Sequence, residues 1–159
     1  MKQAMLLLIP LLAGCARGDG DESAGRETRD PVQTADLTGL YEARGEGGQS
    51  ARMCMISDSS GRASFAIVTE TRDAGSCGGA GEAVREARLL RLSMAGDEEC
   101  VIEARVEDRQ VTFPPNLPEG CAYYCAPGAT LAGADFEKTG GTAKDAMRAT
   151  DLAGDPLCG

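Results

Sequence analysis

Between Leu89 and Glu107 the chain alternates apolar and polar residues on both sides of one tight turn. No other feature constrains the fold as strongly. Leu90, Leu92 and Met94 fall on one side of an extended chain, with Arg91 and Ser93 on the other. Cys100, Ile102, Ala104 and Val106 repeat the pattern against Glu103, Arg105 and Glu107. A period of two marks strands with one buried face. Gly96-Asp97-Glu98 joins the two as an antiparallel pair, and a turn at Asp108-Arg109 carries the meander into Gln110–Phe113.

The rest of the chain extends this reading. Leu37–Ala43 is a strand with Leu37 and Tyr41 on one face, followed by a turn at Gly45–Gly48. Arg52–Ser57 and Ala63–Thr69 form a hairpin around Asp58-Ser59-Ser60-Gly61. Gly78-Gly79-Ala80-Gly81 lacks both the Gly-Lys-Ser/Thr ending of a phosphate loop and the third glycine of a dinucleotide fingerprint. It reads as a mobile turn before a short edge strand, Glu82–Arg88. The prolines of Pro114-Pro115-Asn116-Leu117-Pro118 suit no central strand, so the sheet is expected to end there. Ala129–Phe136 would pack back on it. Thr142-Ala143-Lys144-Asp145 resembles a capping box that opens a short helix with Ala143, Ala146, Met147 and Thr150 inward, ending near Gly154 and Pro156. Antiparallel hairpins without intervening helices predict a mainly β fold. The expected form is a small antiparallel β-barrel or sandwich of about six to eight strands with a short C-terminal helix.

The first residues, MKQAMLLLIPLLAGC, place one lysine before about ten apolar residues and two small residues before a cysteine. That is the composition of a bacterial secretory signal. The run is too short to span a bilayer core as a helix, which takes about 20 residues, and Pro10 interrupts it. Leu12-Ala13-Gly14-Cys15 resembles the lipobox of bacterial lipoproteins, which are processed by signal peptidase II. The resemblance implies cleavage before Cys15 and acylation of that cysteine, including a palmitate-type chain. It also implies anchoring in the cell envelope, with Ala16 after the cysteine suggesting the outer membrane, facing the periplasm. Residues 1–14 would then be the signal peptide. Residues 15–36 would be the lipidated N-terminus and a disordered tether of low apolar content, with a reach of ~25 Å. Residues 37–159 would be a single disulfide-stabilised β domain.

Cleavage would leave 145 residues and take the formal charge from -9 to -10. Such acidity argues against nucleic acid, which demands basic patches, and against binding to anionic lipid through charge, so the membrane contact falls to the acyl chains on Cys15. Six further cysteines remain: Cys54, Cys77, Cys100, Cys121, Cys125 and Cys158. An even count in an exported chain predicts three disulfides, with 15 possible connectivities left open. Cys121 and Cys125, four apart, are each expected to bridge a different part of the fold. Without histidine or Cys-x-x-Cys spacing, neither a zinc site nor a thioredoxin-like redox role is expected, and no metal or cofactor is assigned.

The absence of histidine also removes Ser-His-Asp and Cys-His machinery. Two carboxylates can run a glycosidase, but Asp97-Glu98-Glu99 lies in a turn, and Glu103 and Glu107 lie on the polar side of a strand. The chain is therefore read as a non-catalytic protein with no catalytic residues. The candidate partner-binding segment is Pro114–Gly128, where Tyr123 and Tyr124 are the only adjacent aromatics. One reading gives these rings to a partner and the other uses one or both to plug the barrel end. Small β-barrel lipoproteins include the lysozyme inhibitors of Gram-negative bacteria, which present acidic loops to a cationic enzyme. The opening Leu37-Thr38-Gly39-Leu40-Tyr41 also resembles that of periplasmic metalloprotease inhibitors, with Tyr41 where those carry Trp. The Ser-Gly-x-x-Tyr element of the lysozyme inhibitors is absent, since Ser60-Gly61 precedes Arg62-Ala63-Ser64. The expected role is structural or accessory within an envelope assembly, with an envelope protein as partner. The alternative is a module binding or inhibiting a cationic lysozyme or a secreted protease.

Overall fold

A computed structural model of the chain describes residues 36–44, 50–71, 75–96 and 98–159. The expected signal peptide, Cys15, the tether as far as Ala35, the Gly45–Gly48 turn and Asp97 lie outside the described residues. Eight strands follow one another: β1 (Gly39–Arg44), β2 (Ser50–Ser57), β3 (Arg62–Thr71), β4 (Gly75–Glu86), β5 (Leu89–Met94), β6 (Val101–Glu107), β7 (Gln110–Thr112) and β8 (Asp135–Gly140). Each pairs antiparallel with the next, and β8 pairs antiparallel with β1, so the sheet closes into a barrel with its strands in chain order. Closure removes every edge at which another strand could add.

Side chains fill the barrel, as expected at eight strands. One row runs Tyr41–Met53–Ile67–Gly79 across β1 to β4. Phe65, Leu90, Leu92, Ile102, Val111, Phe113 and Phe136 complete the buried interior, with the Phe113 and Phe136 rings 5.4 Å apart. A second, smaller core lies outside the barrel. Leu40, Cys54 and Ala66 point outward from β1, β2 and β3 and are covered by Ala146, Ala149 and Cys158. The Cys54–Cys158 disulfide fastens this covering segment to the wall.

Three expectations are corrected. The Gly78–Gly81 stretch is neither a mobile turn nor the approach to an edge strand: it lies in the middle of β4, the longest strand, paired throughout with β3 and, at Gly81, with β5 as well. A Cβ at Gly81 would overlap the Ser93 carbonyl oxygen, and one at Gly79 would overlap the Met94 methyl group and crowd the Tyr124 ring. The sheet does not end at Pro114–Pro118 either, because β8 follows and closes it. Within the region expected to pack back, Leu131 and Phe136 are buried. The helix, α1 (Ala143–Ala146), is one turn long and buries Ala146, with Ala149 just beyond it, while Ala143 and Met147 are exposed. A contact patch three residues apart is what a single turn presents to a flat wall. Both halves of its capping box form between Thr142 and Asp145.

The two barrel ends differ. One carries the two-residue turns Ala87-Arg88 and Asp108-Arg109, each with a non-glycine residue at positive φ (56° at Ala87, 50° at Asp108). The other is spanned by the 22 residues between β7 and β8, which include a 3-10 helix, Glu119–Tyr124.

Candidate functional site

The long β7–β8 connection becomes an ordered cap because two cysteines tie it to separate strands. Cys121, buried in the 3-10 helix, bridges to Cys100 at the start of β6. Cys125, at the end of that helix, bridges to Cys77 in β4. Residues 77 and 125 also pair as an isolated β-bridge, and the Ala126 amide donates to the Ser76 carbonyl at 2.8 Å. The expectation that neighbouring cysteines reach different parts of the fold therefore holds, and all six expected cysteines are paired.

Tyr123 and Tyr124 take opposite roles. Tyr124 is half-buried over the opening left by Gly79, and its hydroxyl donates to the Ala95 carbonyl at 2.9 Å. Tyr123 is 84% exposed, and its ring meets that of Tyr124 edge to face with centroids 5.4 Å apart. The plugging role thus belongs to Tyr124 alone, and Tyr123 is presented outward from a braced base. Neither Gly79 nor Ala95 was assigned to this site by the sequence reading. The only signal was a glycine where the β4 alternation calls for an inward side chain.

Glu119 in the cap and Glu98 and Glu99 beside Cys100 are exposed, so the two segments joined by the Cys100–Cys121 bridge both carry carboxylates. Asp97 lies outside the described residues. The other acidic pair considered, Glu103 and Glu107, sits on the outer wall of the barrel. Glu103 lies 3.8 Å from Arg91 and Glu107 lies 3.7 Å from Arg105. Four residues along a strand separate their backbones by about 13 Å, wider than the spacing a two-carboxylate glycosidase uses. They line a groove of about 910 Å³ with Leu89, Phe113 and Pro114 at its apolar parts.

Fold and site together define a disulfide-stapled, eight-stranded antiparallel barrel with a tyrosine-bearing cap. Comparison with protein families, with curated proteins and with solved structures finds no match.

Proposed function

We propose that this chain is a non-catalytic lipoprotein of the bacterial cell envelope, anchored at the outer membrane through acyl chains on Cys15. It serves there as an accessory subunit that docks a protein partner through Tyr123. The exposure of Tyr123 on a doubly stapled cap carries the reading. A large ring held by covalent ties and by its neighbour loses little freedom on binding, which is why binding surfaces favour such residues. The non-catalytic part rests on the lack of histidine, the commitment of six cysteines to bridges and the arginine partners of Glu103 and Glu107.

A second reading, a binding or inhibitory module for a cationic lysozyme or a secreted protease, is favoured by the exposed carboxylates of Glu98, Glu99 and Glu119 around the same cap. Charge of that sign steers a basic protein toward the tyrosine.

The test is a photoreactive amino acid placed at position 123 in intact cells, with position 112 on the barrel wall as control. A discrete adduct from 123 and none from 112 supports docking at the cap. Equal labelling from both positions, or none from either, contradicts it. Protection of a peptidoglycan layer from added lysozyme, lost in Tyr123→Ala, selects the inhibitor reading.

A further inference from the structure

At the barrel end opposite the cap, three cations gather where an acidic chain would be expected to place none. Lys138 follows the buried Phe136 on the inward side of β8, and its ammonium lies 5.6 Å from the centre of the Tyr41 ring. Arg85 follows the buried Ala83 on β4 and is in register with the buried Leu90, which puts it on the inward-facing set of positions. Arg109, in the β6–β7 turn, donates through its guanidinium to the Lys138 carbonyl, and the Lys138 amide returns a bond to the Arg109 carbonyl at 2.7 Å.

The partners of these cations are backbone carbonyls. Lys138 donates to the Asp36 carbonyl at 3.0 Å and Arg85 to the Ala87 carbonyl at 2.9 Å. Among the described residues none of the three has a carboxylate within ion-pair distance, whereas Arg62, Arg91, Arg105 and Arg148 each have one. Asp36 turns its carboxylate to the Thr38 amide at 2.9 Å and attracts Lys138 only from a distance. Burial holds the Lys138 ammonium below the usual lysine range, and the charges of Arg109 and Arg85 push the same way. A chain with a formal charge of -9 thus concentrates unneutralised positive charge at one end of a desolvating barrel. Lys138 retains ammonium hydrogens beyond the one given to Asp36, and Arg85 retains its terminal guanidinium donors. A concavity of about 340 Å³ opens beside Arg85, which lines it with Arg88, Val106 and two acidic residues, Asp108 and Glu107, the latter 3.7 Å from Arg105.

We infer that this end of the barrel binds a phosphate group, with Arg85, Lys138 and Arg109 as its donors. A tetrahedral oxyanion relieves the mutual repulsion and takes the unused N–H groups in charge-assisted hydrogen bonds. The group comes either from inorganic phosphate or from a phospholipid headgroup. The site lies away from Tyr123 and does not depend on the docking role of the cap.

The experiment follows the backbone amides of Tyr41, Arg85 and Lys138 by NMR in the full chain, held in a detergent with a neutral headgroup. Inorganic phosphate is titrated in first, then nanodiscs of phosphatidylglycerol or phosphatidylcholine are added. A saturable shift with phosphate, at least tenfold weaker in Arg109→Gln and in the double variant R85Q/K138Q, supports the site. The same shift with phosphatidylglycerol and not phosphatidylcholine assigns the headgroup as its source, and a shift with phosphate alone assigns the free anion. Arg109→Gln alters an exposed turn residue, so it keeps the test valid should the double variant not fold. No shift with any probe, an equal shift with sodium chloride, or an unchanged response in Arg109→Gln overturns the inference.

Discussion

The Tyr124 hydroxyl donates a 2.9 Å hydrogen bond to the carbonyl of Ala95, 29 residues earlier, and its ring lies against Gly79, an inward-facing position of β4 without a side chain. The cap is therefore held by one ring, two disulfides and the backbone pairing of residues 77 and 125. Tyr124 spans the β4 wall and the β5–β6 turn, and the bridges from Cys121 and Cys125 grip strands on either side of β5. Tyr123 inherits its orientation from this arrangement and touches it through its edge-to-face contact with Tyr124.

The glycines of β4 are predicted to differ sharply in tolerance. Gly81→Ala places a methyl group into the Ser93 carbonyl, a backbone atom that cannot move without disturbing the β4–β5 ladder. Urea denaturation should show a loss of about 1–3 kcal/mol. Gly78→Ala points outward and meets only ordinary contact with the Ile67 carbonyl, so its effect should stay within about 0.5 kcal/mol.

Removing the Cys54–Cys158 bridge should cost the most of the three, because it closes the longest loop, with a sequence separation of 104 against 48 and 21. In the chain-entropy account its contribution is about 4–5 kcal/mol and that of Cys100–Cys121 about 3 kcal/mol. Paired Cys→Ala variants unfolded in denaturant should rank in that order. Crosslinking from position 123 should survive loss of Cys54–Cys158 and fail on loss of Cys100–Cys121.

The capping box makes α1 sensitive to acid. Hydrogen bonds from Thr142 hold the Asp145 carboxyl below its usual value of 3.8, as Thr38 does for Asp36. A folded-state pKa below the unfolded one contributes stability above about 3.8 that is lost as pH falls through the folded value. Thr142→Ala should cost about 1 kcal/mol at neutral pH and flatten the acid limb of the unfolding midpoint. An acid limb unchanged in this variant would remove the box from the account.

Tyr41 gives the opposite limb. Burial pushes its phenol up to about 12, against an ordinary value of 10.0, while its hydroxyl donates to the Leu37 carbonyl at 2.7 Å. The folded state holds its proton more tightly, so this contribution is complete below pH 10 and disappears as pH rises toward 12. Tyr41→Phe should remove the component that ionises near pH 12 from a 295 nm absorbance titration and weaken the alkaline loss of stability.

Much of the barrel was legible because its walls alternate. The β5 and β6 strands, the turns beside them, the hairpin at Asp58–Gly61 and the capping box all follow from side-chain pattern. β4 was obscured because glycine erases the apolar signal where the Tyr124 ring and the Ser93 backbone need the space. β8 was obscured because it buries a single apolar residue, Phe136, and turns Lys138 inward at the next such position. Its place is set by backbone pairing on both sides rather than by hydrophobicity. The cap was located by its cysteines and prolines, but which tyrosine faces out depends on Gly79, and nothing in an adjacent Tyr-Tyr pair decides that.

The proposed function requires an acylated, oxidised barrel outside the cytosol. Mass spectrometry of the protein extracted from bacterial membranes and digested without reduction tests it most directly. The account predicts an N-terminal peptide that begins at Cys15 with lipid attached, together with linked peptides joining Cys54 to Cys158, Cys77 to Cys125 and Cys100 to Cys121. A soluble chain that still begins at Met1 and carries seven free thiols would contradict it.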